Sequence, residues 1–163
     1  MLEVLGNLIN AVFTGTVLAA FGAVIGMGLS GLSSAKGLEI SGNAAAGVTS
    51  EDEKNFTSAL ILEALPQTQC IYGFIVSVMI LMGIMNGNMT LEKGLISLAA
   101  GIVVGLGGLT AIMQGQVSAS CIGALGRNQK VGTRILIFIV MPEIAALLSF
   151  VTAMILLSSG KVF

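Results

Sequence analysis

The chain has no histidine, no tryptophan and one tyrosine, and only 9% of its 163 residues are charged. Each scarcity removes a class of function. Without histidine, the commonest transition-metal ligand and the usual proton shuttle near neutral pH are missing. Soluble domains carry about 25% charged residues, so this composition cannot furnish an ordinary water-facing surface. The few basic residues form no patch and have almost no aromatic residues to interleave with, which argues against nucleic-acid binding. The two cysteines, Cys70 and Cys121, lie in apolar segments and read as small buried residues rather than a disulfide or a metal pair. No phosphate-binding glycine loop and no nucleophile–base arrangement occurs, so the chain is not expected to be an enzyme by itself. The N-terminus lacks the basic n-region and cleavage site of a signal peptide, so the first apolar segment is expected to be retained.

What remains is 55% hydrophobic. No charge occurs from Val4 to Ala35, from Ala64 to Leu91, from Gly94 to Gly126, or from Ile135 to Gly160 apart from Glu143. Each run exceeds the ~20 residues a helix needs to cross the hydrocarbon core, and unpaired backbone cannot face lipid. The expected fold is an all-α membrane protein of four transmembrane helices. Between spans one and two a polar loop is expected over roughly Glu39 to Asn55. A tight turn, Asn86-Gly87-Asn88, joins spans two and three, and Arg127-Asn128-Gln129-Lys130, then Arg134, joins spans three and four. Lys36, Lys54, Arg127, Lys130 and Arg134 fall on one side, against Lys93 and Lys161 on the other. The excess places the first and third loops in the cytoplasm and both termini outside.

The two halves read as copies. Leu65-Pro66-Gln67 matches Met141-Pro142-Glu143, Phe74 matches Phe150, and Ala35-Lys36-Gly37 matches Met113-Gln114-Gly115. Gly26-Met27-Gly28 likewise matches Gly105-Leu106-Gly107. The expected units are a first helical hairpin over 1–88 and a second over 89–163, with a carboxylate kept in the second copy and Gln67 standing at its place in the first. Gly22, Gly26, Gly101 and Gly105 put small residues on one face of spans one and three. They serve either pairing within one chain or an inner ring of glycine faces from many copies. Spans two and four are bulkier, as an outer layer would be.

Glu143 is the decisive residue. A carboxylate inside a span costs about 2.5 kcal/mol or more on insertion scales, and its default explanation is ion or proton handling. Leu65, Thr68, Gln69 and Tyr72 recur at i, i+3, i+4, i+7 and so share one face of span two. Span three adds Gln114 and Gln116. These polar groups are either interhelical hydrogen-bonding glue or an all-oxygen cage, which suits a small hard cation. One carboxylate matches a monovalent ion, and the extra oxygens favour Na⁺ over H⁺. Tyr72 could donate to Glu143. Pro66 and Pro142 each remove a backbone bond and are expected to distort spans two and four, freeing the carbonyls of Leu62 and Phe138. A ligand role for the Leu65 carbonyl requires further local distortion. Glu63 reads as an end-of-helix residue, with an ion-pathway role as the alternative.

With these residues in hand, the chain resembles the rotor-ring proteolipid (K, or c-type) subunits of bacterial Na⁺-translocating V-type ATPases. The likeness rests on four spans, the duplicated hairpin, Leu65-Pro66-Gln67-Thr68-Gln69 with Tyr72, Gln114-Gly115 and Glu143. It implies a homo-oligomeric ring in the bilayer, with the first span of each hairpin inside and the second outside. It further implies Na⁺ at Glu143, with side-chain oxygens from Thr68, Gln69 and Gln114, the Leu65 carbonyl, and a hydrogen bond from Tyr72. The implied partners are a stator membrane subunit offering a cationic residue and a central-stalk subunit at the cytoplasmic loops, with ATP chemistry in other subunits. The family carboxylate is often followed by Thr-Tyr, whereas Ile144-Ala145 follow here. Two other readings share the intramembrane carboxylate: an H⁺-carrying rotor of the same class, and a small secondary or multidrug transporter, which the near-absence of aromatic residues disfavours. A purely structural pore-forming protein would make Glu143 dispensable.

Overall fold

The computed structural model describes residues 13–163 together with Met1 and Val4. The rest of 2–12, where the first charge-free run begins, lies outside the described residues. The described chain is helical almost throughout, and four helical segments are long and apolar enough to cross a membrane. The protein is therefore a multi-pass membrane protein of all-α class.

Span one is a single helix, α1 (Gly15–Glu51), started by Thr14, whose hydroxyl accepts from the Val17 N–H at 3.3 Å. Its 37 residues rise about 55 Å at ~1.5 Å each, against a hydrocarbon core of ~30 Å. The helix thus runs through most of the stretch expected to be a loop. Polarity did not break it: Lys36 and Glu39 pair one turn apart at 2.8 Å, and the alanines at 44–46 are strong helix formers. It ends at Asp52, in extended conformation, whose side chain accepts from the Lys54 N–H at 3.0 Å.

Span two comprises a 3₁₀ turn (Glu53–Asn55), α2 (Phe56–Glu63), a second 3₁₀ turn (Leu65–Gln67) and α3 (Thr68–Met85). The second 3₁₀ turn carries Pro66 and is the distortion a mid-helix proline is expected to impose. Gly87, at φ 75°, makes the turn into span three. That span is two helices, α4 (Leu91–Gly108) and α5 (Thr110–Arg127), not one. The break follows Gly107-Gly108, and the Thr110 hydroxyl donates to the Gly107 carbonyl at 2.8 Å. Span four runs through a 3₁₀ stretch (Gln129–Ile135), α6 (Leu136–Val140) and α7 (Glu143–Ser159), interrupted at Met141-Pro142.

Spans one and three pack backbone to backbone. A Cβ at Gly101 would fall 1.9 Å from the Gly22 carbonyl oxygen, one at Gly94 2.3 Å from that of Gly15, and one at Gly115 2.3 Å from that of Gly37. These glycines pair within one chain, the plainer of the two readings. Spans two and four lie outside this pair and leave Phe74, Met82, Ile144 and Leu148 exposed. The larger apolar core, with Ala19, Val76, Ile80, Ala100, Val104, Ala153 and Leu157, joins all four spans.

Candidate ion-binding site

The site forms where both proline-distorted helices face span three. Below it, Pro66 leaves the Leu62 carbonyl without its helical donor, and the buried Ser118 hydroxyl donates to that carbonyl at 2.5 Å. The 3₁₀ turn brings the Thr68 side chain back over its own backbone. Its Oγ1 lies 3.0 Å from the Leu65 carbonyl oxygen and 3.2 Å from Gln69 Oε1. Leu65 O, Thr68 Oγ1 and Gln69 Oε1 therefore form one oxygen cluster, and the distortion that a Leu65 role required is present.

Gln69 and Gln114 are fully buried. Gln69 Nε2 donates to Gln114 Oε1 at 2.7 Å. Gln114 Nε2 in turn donates to the Ile139 carbonyl at 3.0 Å and to Glu143 Oε2 at 3.3 Å. Tyr72 donates its hydroxyl to Glu143 Oε1 at 2.9 Å. Its ring stacks on Phe150 with centroids 5.1 Å apart, which fixes the phenol over the carboxylate. Glu143, half-buried, is thus held at both oxygens from two different spans. One connected polar network runs from Leu65 to Glu143.

All six expected site residues, Leu65, Thr68, Gln69, Tyr72, Gln114 and Glu143, meet here. Gln116 and Gln67 are exposed and stand apart. Glu63 is half-buried one turn before the site, with its carboxylate against Gly42. Reading side chains alone missed two participants, the Ile139 carbonyl and Ser118. Pro142 was the available signal for the first, since a proline disturbs the backbone bonds of the preceding turn. Cys70 and Cys121 are free thiols.

Two antiparallel membrane hairpins closing over one intramembrane carboxylate define a helical-hairpin membrane proteolipid with an ion-type polar centre. The ATP synthase C-subunit family matches residues 21–80 and again 98–156, and the chain belongs to that family. It is 37% identical over 141 residues to "A-type ATP synthase subunit K" of Methanocaldococcus jannaschii, covering 86% of this chain and 62% of that protein's length. It is 36% identical over 143 residues to "V-type sodium ATPase subunit K" of Enterococcus hirae, covering 87% of this chain and 91% of that protein's length.

The double match also corrects the internal alignment. The two matched stretches are offset by 77 at their starts (98 − 21) and by 76 at their ends (156 − 80). Matching glycines had set Lys36 against Gln114, an offset of 78. In the structure Lys36 is exposed and paired to Glu39. Gly37, offset by 77 from Gln114, faces Pro66, just as Gln114 faces the turn before Pro142.

Proposed function

We propose that this chain is the ion-carrying rotor-ring subunit of a rotary V-type ATPase and that its cargo is Na⁺. One observation carries the reading. The carboxylate of Glu143 is fixed by Tyr72 and Gln114 beside a cluster of neutral oxygens from Leu65, Thr68 and Gln69. A proton needs a carboxyl and one acceptor, whereas a hard cation stripped of water needs several oxygens at once. The "sodium" in the name of the Enterococcus relative supports the same cargo.

In this reading the residues divide the work. Glu143 supplies the compensating charge. Gln114 presents its amide nitrogen to Glu143 and its oxygen to Gln69, and turns that oxygen toward a bound ion. Thr68, Gln69 and the Leu65 carbonyl replace lost hydration, and Tyr72 holds the carboxylate rotamer. The loaded site is neutral and faces lipid at tolerable cost. At the stator a cationic side chain of the partner, an arginine by preference, competes with Na⁺ and opens the cage. An emptied, ionised Glu143 does not re-enter lipid cheaply, so a site must reload before it moves on, and turning is coupled to ion transfer. ATP chemistry belongs to partner subunits, and a central stalk would grip the loops at Asp52 and Asn128. Those loops face the cytoplasm and both termini face outward. Residues 1–88 and 89–163 act as two hairpins, the second carrying the carboxylate.

The test is radioactive Na⁺ binding to the purified ring, with Li⁺ and pH as competitors. Saturable binding that is displaced by Li⁺ and lost at low pH and in Glu143→Gln is expected. Equal binding by Glu143→Gln and wild type overturns the assignment. Carbodiimide labelling of Glu143 that Na⁺ does not block would make the ring an H⁺ carrier instead.

A further inference from the structure

A cleft of about 430 Å³ opens where the third loop meets the start of span four. Lys130 and Arg134 line it from the 3₁₀ stretch, and Ile137 and Phe138 line it from α6. Both cations are exposed, and Ile137 and Phe138 are 55% and 61% exposed. The loop is shaped from within. The Asn128 side chain accepts from the Lys130 N–H at 3.1 Å, and Gly132, at φ 50°, turns the chain between the two cations.

Ion carriage at Glu143 uses neither cation. The one ion pair among the described residues joins Lys36 to Glu39, so Lys130 and Arg134 have no carboxylate partner there. Asp52, which does reach this loop, accepts from Gln129 at 2.6 Å instead. Position decides which anion suits the pair. The run from Ile135 to Gly160 has no charge but Glu143 and is long enough to cross the hydrocarbon core. Arg134 therefore sits at the edge of that core, with Ile137 and Phe138 just inside it. An anion between Lys130 and Arg134 has apolar surface directly beside it, at a depth a water-soluble partner does not enter. A guanidinium fork and an ammonium suit a phosphate, and basic clefts at the ends of membrane helices take anionic headgroups.

The duplication supplies an internal control. Under the offset of 76 for the outer spans, Lys130, Arg134 and Ile137 correspond to Lys54, Ser58 and Ile61. That place has one of the two cations, and Glu51, Asp52 and Glu53 directly precede it. Lys54 and Ile61 nonetheless stay exposed with the second hairpin packed alongside. A neighbouring chain beside the second hairpin would leave Lys130 and Ile137 open to the bilayer in the same way.

We infer that this cleft binds an anionic phospholipid, its phosphate between Lys130 and Arg134 and its acyl chains along Ile137 and Phe138. The second hairpin alone carries the site, so each chain holds one such lipid. The lipid neutralises two charges at the membrane edge and ties the third loop to the bilayer. None of this depends on which ion Glu143 carries.

The test uses native membranes and the full chain purified from them into phosphatidylcholine vesicles. The probe is a trace of phosphatidylglycerol with a photoreactive diazirine high on one acyl chain, and labelled peptides are mapped by mass spectrometry. Label is expected on the peptide holding Ile137 and Phe138. Unlabelled phosphatidylglycerol should displace it, whereas added phosphatidylcholine or inorganic phosphate should not. Lys130→Gln with Arg134→Gln should lower it roughly thirty-fold, about fivefold per charge, with helical circular dichroism unchanged. Arg134→Lys should keep most of it, and Lys93→Gln, at the opposite end of the spans, all of it. Label spread evenly over the outer face, or undiminished in the double variant, overturns the site. Displacement by inorganic phosphate overturns the lipid assignment. Label that appears in vesicles but not in native membranes gives the two cations to a protein partner and overturns it as well.

Discussion

The two oxygens of Glu143 are held by different donors, and this separates what each substitution should do. Glu143→Gln removes the charge and is expected to abolish saturable Na⁺ binding. Tyr72→Phe keeps the ring stacked on Phe150 but removes the hydroxyl 2.9 Å from Oε1. A hydrogen bond to a charged group is worth about 1.5–3 kcal/mol, so Na⁺ affinity should fall roughly ten- to hundred-fold without loss of fold, as read by isotope binding. On the proposed Na⁺ reading, protons compete for the same carboxylate, so Na⁺ affinity should also decline as pH falls. Gln116→Ala, at an exposed position of the same span as Gln114, should leave both affinity and stability unchanged. Ser118→Ala tests the support beneath the site. It orphans the buried Leu62 carbonyl, which costs about 1–3 kcal/mol and should lower the melting temperature of the detergent-solubilised protein. The site's side chains were legible in sequence because each is a polar group in an apolar run and therefore demands a reason. The Ile139 carbonyl was not, because a backbone group has no letter of its own.

At the scale of elements, glycine contacts sort tolerable from intolerable change. Gly101→Ala would set a methyl group 1.9 Å from the Gly22 carbonyl oxygen and 2.4 Å from its carbon. Backbone cannot yield there, so α1 and α4 must separate, with loss of packing along both hairpins. Gly123→Ala meets nothing within 4 Å and gains up to ~1 kcal/mol of helix propensity. Thermal unfolding of the two variants should therefore move in opposite directions. The spans themselves were legible because four long runs carry no charge apart from Glu143, and the two prolines marked the distortions of spans two and four. The length of α1 was not legible, since Lys36, Glu39 and the alanines after them are polar or small yet favour helix. The one-residue interruption at Leu109 was also hidden, because no proline or charge marks it; it follows Gly107-Gly108, which lie against Ser149 and Ser30. The loops are clasped to each other: Gln129 donates to Asp52 at 2.6 Å. The Lys54 N–H and then Gln129 hold the Asp52 carboxyl below its ordinary 3.8, against an opposing effect of desolvation and with a lesser contribution from the Lys54 charge. A depressed carboxyl stabilises the fold above its unfolded value, and that contribution fades as pH drops through the folded one. Protection of the loop amides, as exchange rates corrected for their intrinsic pH dependence, should stay flat from neutral pH down to about the ordinary carboxyl range and fall only below it. The fall should disappear in Asp52→Asn.

For the whole molecule, the duplication makes two hairpins but one cage. Under the offset of 76 that relates Pro66 to Pro142, Thr68, Gln69 and Tyr72 correspond to Ile144, Ala145 and Leu148, and Glu143 corresponds to Gln67. The corresponding place around Gln67 in the first hairpin therefore lacks the carboxylate and the counterparts of the Thr68 hydroxyl, the Gln69 amide and the phenol together. Each loss removes an oxygen or a donor that a dehydrated cation needs, and no single reversal restores the set. This predicts one Na⁺ per chain, half the number of hairpins. Gln67→Glu restores a carboxylate without its cage. It is expected to leave the stoichiometry at one and to lower stability, because an ionised group without oxygen or donor partners at membrane depth is costly. Isotope binding against protein mass, with wild type, Glu143→Gln and Gln67→Glu measured together, checks this. A ratio of two in the wild type, or of two in Gln67→Glu, would mean that the second hairpin interface binds ions through groups the duplication has not erased. A ratio of one in both means that losing the second cage doubled the amount of ring per transported ion, leaving fewer ions carried per turn against a given number of ATP sites.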